Sequence, residues 1–257
     1  VKCFGINHSE IFTRKGLSPS VKFPRILGIE CVGVINKTTD SDRLPVGQKV
    51  VSIMGEMGRA FDGSYAEYAL LPNKQLYPIE TDLDWATLAA LPETYYTAFG
   101  SMLNLKIAKD DKVLVRAGIS GVGVAFVKLL KAKYPDIYVA GSSRSLKKEK
   151  QMLDVGYDEA IIDQDGELQT DKKFDKILEL IGPKTIKNSF KHLIEGGIVC
   201  STGQLGNQWY LDKFDPIIDI AANSYLTSFY SGNVNEEKIN HMLDYVKKYD
   251  VDTKPER

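Results

Sequence analysis

Along residues 1–93, apolar and polar positions alternate in short runs that glycine and proline keep interrupting. That pattern predicts strands and turns rather than helices. Gly16, Pro24, Gly28, Gly33, Pro45, Gly47, Gly55, Gly58 and Gly63 supply the punctuation. Between them ILGIECVGVI (26–35), KVVSI (49–53) and SYAEYALLP (64–72) are expected to form strands. In the last of these, Tyr65, Glu67 and Tyr68 alternate with smaller residues as a half-buried strand would. The expectation for this half is an all-β unit of barrel or sandwich type.

From about residue 94 the rhythm changes to strand–helix alternation. Strands are predicted at 112–116, 137–142, 159–163, 174–181, 196–203 and 224–230. Between them VGVAFVKLLKA, LKKEKQMLDVG and TIKNSFKHLI carry apolar residues at three-and-four spacing, the period of a helix face. Gly156 and Gly196 fall where helices are expected to stop. Residues 236–251, EEKINHMLDYVKKYDV, read as one more amphipathic helix. Six strands joined by helical crossovers predict an α/β fold with a parallel, doubly wound sheet, because parallel neighbours need a crossover.

Composition narrows the class. The 257 residues are 43% hydrophobic and 26% charged with a net charge of -1, ordinary for a globular protein. Lysines are scattered among acids, no basic face is announced, and nucleic acid is not an expected partner. Cys3, Cys31 and Cys200 are too sparse for a disulfide scaffold and point to a reducing compartment. No apolar run approaches about 20 residues and no signal peptide opens the chain, so no membrane association is expected and the localisation expected is cytoplasmic.

The chemistry concentrates in DKVLVRAGISGVGVAFVKLLKA (111–132). A β-rich run enters the turn Ala117-Gly118-Ile119-Ser120-Gly121-Val122-Gly123 and leaves directly into a helix. Small residues there let the backbone approach a pyrophosphate, and the helix N-terminus offers free N–H groups. Ser120, Gly121, Val122 and Gly123 are the candidate phosphate contacts. The next strand ends Ser142-Ser143-Arg144-Ser145, where a dinucleotide fold holds the adenosine ribose. An acidic residue at that place would favour NAD. The serine hydroxyls, the Arg144 guanidinium and Lys147/Lys148 instead favour a 2′-phosphate, hence NADPH. Gly182, and Thr202, Gly203 and Leu205, fall on loops after parallel strands and are candidate contacts for the nicotinamide half.

The chain resembles the medium-chain dehydrogenase/reductase superfamily, in its zinc-independent quinone-oxidoreductase-like branch. The resemblance runs through GINHSEIFTRKG (5–16), FPRILGIECVGVI (23–35), DGSYAEYALLP (62–72), ALPETYYTAFGSM (90–102), VLVRAGISGVGVA (113–125) and GGIVCSTG (196–203), in family order. LELIG with the following GGIVCSTGQLGNQWYLDKFDP is also similar to a bacterial subgroup often labelled zinc-type alcohol dehydrogenase-like. The resemblance implies a partial GroES-like β-barrel catalytic domain over 1–93, missing about 30 residues before Val1. It implies a Rossmann domain over 94–232 and, over 233–257, a helix leading back to a catalytic segment that is absent after Arg257. Substrate is expected in the cleft between domains, and the last Rossmann strand is expected to pair across a homodimer axis.

Zinc-dependent relatives place a Cys after the first Gly and a His-Glu pair in the second motif. Here those positions read Gly5-Ile6-Asn7-His8 and Gly28-Ile29-Glu30, with Ile29 where the His would be. A catalytic zinc takes about three protein ligands, so no native metal site is expected. By the resemblance, Asn7 lines the cleft near the nicotinamide and Thr97 lies close to its ring. His8 is a candidate proton donor, since its ordinary pKa lies near 6.5, whereas His192 and His241 are expected on helix surfaces. Some enone-reducing relatives carry a Tyr five residues after the Asn, and Phe12 stands there instead. The expected activity is NADPH-dependent hydride transfer to a small-molecule quinone or α,β-unsaturated carbonyl without metal. A zinc-dependent alcohol dehydrogenase and a non-catalytic NADPH-binding protein are the alternatives.

Overall fold

A computed structural model describes residues 1–18, 21–220 and 223–254. The chain divides into two compact units, Val1–Tyr96 with Ser231–Lys248 and Asp252–Arg257, and Thr97–Tyr230 with Tyr249–Val251.

The first unit carries a small antiparallel sheet of β1 (Glu30–Val34), β2 (Lys49–Ile53) and β3 (Tyr77–Pro78) in that order. Cys3 adds an antiparallel bridge to Val32. Val32, Val51 and Ile53 turn into its core, and Ile35, Leu44 and Val50 form a second apolar cluster. The unit is not all-β. Helix α1 (His8–Arg14) precedes β1, and α2 (Trp85–Ala89) follows β3. The start of α1 is encoded by Asn7 and Glu10, whose carboxylate accepts from the Asn7 amide, a reciprocal cap that the turn-rich reading passed over. Asp84 caps α2 by accepting from the amides of Ala86 and Thr87.

Two strand expectations fail in this unit. Residues 26–29 are not strand, because Gly28 sits at φ +109 and breaks the run that continues as β1. Residues 64–72 form no strand either. The amides of Gly63, Ser64 and Tyr65 bond irregularly to the carbonyls of Ile26, Gly28 and Leu27. The Ala66 amide then folds back on the Ser64 carbonyl, so no ladder propagates, and Leu70 ends 94% exposed. Near the C-terminus, α8 (Glu236–Lys248) lays Ile239, Met242, Leu243, Tyr245 and Val246 on one buried stripe.

Helix α3 (Pro92–Leu105) belongs to the first unit up to Tyr96 and to the second from Thr97. The second unit is built on β4 (Lys112–Arg116), α4 (Gly121–Lys133), β5 (Tyr138–Ser143), α5 (Glu149–Asp154) and β6 (Glu159–Gln164). It continues through β7 (Glu167–Leu168), β8 (Phe174–Glu179), α6 (Ile186–Lys191), β9 (Leu193–Ser201), α7 (Pro216–Asp219) and β10 (Tyr225–Ser228). The sheet order is β10-β9-β8-β4-β5-β6-β7, parallel except for β7. The chain winds outward from β4 to β6, then returns to β8 and winds the other way. The pair β4/β8 is therefore the topological switch point, where loops after the strands make a crevice in such sheets. Val113, Leu114 and Val115 are buried on both faces, as a central parallel strand requires. Ala125, Phe126, Val127, Leu129 and Leu130 bury the inner face of α4, and Lys131 and Lys133 in its last turn complement the helix dipole.

Gly156 lies just past α5 at φ +111 and does close that helix. Gly196 does not end a helix: it sits inside β9 at φ +75, and α6 stops earlier at Lys191. His192, expected on a helix surface, is buried at that C-cap with Nδ1 3.2 Å from the Lys172 carbonyl. Burial pulls its pKa below the ordinary value. His241 lies on the exposed side of α8.

Candidate functional site

The glycine turn is shaped by a left-handed residue and two close approaches. Ala117 takes φ +59. The Ser120 hydroxyl donates to the Ala117 carbonyl at 2.8 Å and accepts from the Gly123 amide at 3.3 Å, capping α4. A Cβ on Gly123 would meet the Gly118 carbonyl oxygen at 2.6 Å, so only glycine lets the helix start this close to the strand end. Gly121 is exposed and Val122 half-exposed at this end. The first amides of a helix have no backbone partner within it, and here those of Gly121 and Val122 lie at a positive dipole end. One support was invisible in the sequence pattern. Buried Tyr157 places its hydroxyl 2.9 Å from the carbonyls of both Gly118 and Gly123, pinning the turn from below.

At the end of β5 the serines divide. Ser142 is fully buried, and its hydroxyl accepts from the Ala117 amide at 3.2 Å and faces Asp163 at 3.4 Å. It supports the turn from inside, with its hydroxyl between the Ala117 amide and Asp163. Ser143 is half-buried and bonds the Ser145 carbonyl at 3.0 Å, while Arg144 and Lys148 are exposed.

The two other loops meet. The Ile181 and Gly182 amides donate to Glu179 at 2.9 and 3.0 Å, with Gly182 at φ +94. A Cβ on Gly182 would touch the Gly203 carbonyl oxygen at 2.6 Å, and one on Gly203 would touch the Leu180 carbonyl oxygen at 2.2 Å. Leu205 donates its amide to Leu180 at 3.1 Å. Thr202 Oγ1 lies 2.9 Å from Ser101 Oγ, and Ser101 also donates to the carbonyl of buried Thr97 at 2.7 Å. Gly182, Thr202, Gly203 and Leu205 thus share one end of the sheet, with Thr97 linked to them through Ser101.

In the first unit Asn7 stands at the N-cap of α1 and gives its side-chain amide to Glu30. Glu30 is buried, and its other oxygen accepts from the Glu93 amide at 2.7 Å. Burial pushes the Glu30 carboxyl up to about 8 despite these donors. His8 is exposed and meets Phe12 edge-on at 4.9 Å. Tyr65 stacks on Phe4 at 4.7 Å; Tyr95 and Tyr96 donate to the carbonyls of Asp252 and Asn233. Burial raises the phenol pKa of all three. Among the described residues no group of three His, Cys, Asp or Glu side chains is placed to hold a metal ion, and the pair Ile29–Glu30 offers one buried, already bonded carboxyl. These residues do not fit a zinc site. No helix is long and apolar enough to cross a membrane among the described residues.

Residues 1–81 match the alcohol dehydrogenase GroES-like domain family. The quinone oxidoreductase of Rattus norvegicus is 29% identical over 221 residues, covering 80% of this chain and 64% of that protein, so the chain spans just under two thirds of that relative's length. Among solved structures, YhdH of E. coli K-12 with bound NADPH superposes with a TM-score of 0.84 at 20% identity, covering 95% of this chain and 76% of that one. The yhfP protein of Bacillus subtilis with NAD bound gives 0.80 at 22% identity, covering 95% and 76%. Residues 1–81 thus match a GroES-like domain, the chain shares the fold of these solved structures, and it is similar in sequence to quinone oxidoreductase over 80% of its length.

Proposed function

We propose NADPH-dependent reductase chemistry for this chain, with hydride delivered to a small quinone or α,β-unsaturated carbonyl without a metal. The observation that carries the reading is the α4 N-terminus at the switch-point crevice, beside an Arg144 and Lys148 end of β5 that lacks an acid. The exposed Gly121 and half-exposed Val122 fit a pyrophosphate at the helix N-terminus. Ser143, Arg144 and Lys148 fit a 2′-phosphate by charge and hydrogen bonding. The Gly182 and Gly203 backbones, with Thr202 and Leu205, border the nicotinamide half. The dinucleotide, when bound, supplies the hydride.

The chain's own residues orient and stabilise. Asn7, held at its amide by Glu30, is the cleft residue of the first unit. Its side-chain amide is the donor assigned to the acceptor oxygen, where negative charge develops, and Thr97 is assigned to the nicotinamide ring. His8, exposed at the start of α1, or solvent returns the proton. Ile29 in place of a ligand supports the metal-free reading. The domain division at 93 and 232 and the homodimer remain part of this proposal. The dimer is supported by the edge position of β10, whose Tyr225 is exposed.

The test is a panel of quinones, enones and simple alcohols with NADPH or NADP, followed by nicotinamide absorbance. NADPH consumption with a quinone or enone, unchanged by a chelator, is the expected result. Turnover confined to alcohols and restored by added zinc, or binding without turnover of any acceptor, would overturn it.

A further inference from the structure

Arg116 ends a strand whose other inner residues are apolar, yet it is fully buried. Its Nε and Nη2 donate to Asp163 at 3.0 and 2.6 Å, and Nε lies 3.9 Å from Glu179. Nη1 donates to the Thr185 carbonyl, Asn188 Oδ1 and Ser189 Oγ at 3.1, 2.9 and 3.1 Å, and Nη2 also reaches the Gly166 carbonyl. Every guanidinium nitrogen is engaged.

The two carboxylates are buried as well, and among the described residues Arg116 is the cation that neutralises them. Each holds one loop of the candidate site. Asp163 accepts from Ser142, whose oxygen receives the Ala117 amide at the glycine turn. Glu179 takes the Ile181 and Gly182 amides on one oxygen and the Ser189 hydroxyl, at 2.6 Å, on the other. A buried carboxylate stripped of its cation cannot keep such geometry, because its charge is then uncompensated in a low dielectric.

We propose that Arg116 is a positioning residue that couples the 117–123 turn to the 180–182 loop, so that both dinucleotide-facing segments are set by one buried cation. The path runs from Ala117 through Ser142 and Asp163 to Arg116, and on through Glu179 to Ile181 and Gly182. The coupling is a property of the ligand-free chain; its consequence for affinity rests on the dinucleotide reading above.

Hydrogen exchange on the ligand-free chain tests the coupling, and NADPH titration tests the consequence. Arg116→Met keeps much of the volume and removes the charge. It is expected to speed exchange of the Ala117, Ile181 and Gly182 amides together by at least tenfold, with Leu114 and Val115 unchanged, and to raise the NADPH Kd at least tenfold. Arg116→Lys restores the charge without the fork, so it should fall between wild type and the Met variant in both readouts; a merely space-filling role would rank Met no worse than Lys. Ser142→Ala cuts one arm and should free Ala117 while leaving Ile181 and Gly182 protected, which keeps the test open if Arg116→Met does not fold. Unchanged exchange at 181 and 182 in the Lys variant, or uniform acceleration that includes Leu114 and Val115, would overturn the coupling. Wild-type chain that binds neither NADPH nor NADH would sink the dinucleotide reading instead, and the exchange data would still decide the coupling.

Discussion

The side-chain amide of Asn7 donates to the carboxyl of Glu30, a buried acid whose second oxygen is held by the Glu93 amide. Gly5 makes this possible: a Cβ there would press on Glu30 Oε1 at 2.3 Å. The pair ties the loop before α1 to the first residue of β1, and it orients the amide that we assign to the reacting cleft.

Glu30 gives the first prediction, a pH dependence of stability. Its ordinary pKa of 4.5 becomes about 8 in the native state, with burial as the main cause and the charges of Glu93 and Glu10 adding to it. Between those values the folded chain holds a proton that the unfolded chain releases. The stabilisation is therefore complete below about 4.5, declines by up to about 1.4 kcal/mol per pH unit, and is gone above about 8. Glu30→Gln mimics the neutral acid and removes the slope. Denaturant titrations from pH 5 to 8 should show wild type losing stability against the variant as pH rises, and a carboxyl carbon resonance titrating near 8 should vanish in the variant. Parallel stability profiles would refute the neutral carboxyl.

Tyr157 gives the second. Its hydroxyl lies within hydrogen-bond reach of two turn carbonyls, and its ring fills space that a side chain at Gly118 or Gly141 would occupy. Tyr157→Phe keeps the packing and removes the one proton that the two carbonyls share, at a cost of about 1–3 kcal/mol. A lowered thermal midpoint together with weaker NADPH binding is expected. An unchanged midpoint would mean that water replaces the phenol and the turn needs no such support.

How much of this was legible in the chain depends on how local each signal is. The turn at 117–123 reads directly, because strand, small residues and helix cap follow one another within a dozen positions. Tyr157 could not be read, since the carbonyls it serves lie 34 and 39 residues earlier. Arg116 left a clue in VLVR, a charge closing the apolar run of a central strand, which signals a buried partner. The inward turn of Ser142 could not be read either, because a serine at a strand end can face outward or into the sheet interior, and Asp163, 21 residues later, draws it inward. Residues 64–72 misled for a related reason. Alternation marks two faces, but a strand also needs an edge to pair with, and the folded-back Ala66 amide denies it one.

The cysteines give a third prediction. Burial pushes the Cys31 thiol up to about 12 and raises Cys200, whose Sγ lies 3.5 Å from Thr202 Oγ1. At pH 8 a thiol of pKa 12 is thiolate in about one molecule in ten thousand, and the thiolate is the reactive form. Cys3 is only half-buried. An aromatic disulfide reagent should therefore titrate one thiol quickly in the native chain, at Cys3, and the other two only after denaturation. Rapid modification of Cys200, mapped by peptide mass, would refute the assignment and open the end of β9 to solvent.

The last prediction concerns cofactor choice and turns on Arg144. The residue is exposed at the end of β5, next to Ser143, and the segment to Lys148 holds no acid that would repel a phosphate. A charge-assisted contact to a 2′-phosphate contributes about 1.5–3 kcal/mol, and NADH has no group to receive it. Arg144→Ala should raise the NADPH Kd about 10- to 100-fold and leave the NADH Kd within about twofold, read by calorimetry at fixed ionic strength because exposed charges are screened by salt. Lys148→Ala should act in the same direction and more weakly, since a flexible ammonium offers no planar fork. Equal losses for both dinucleotides would instead mean that Arg144 shapes the adenosine pocket without reading its phosphate.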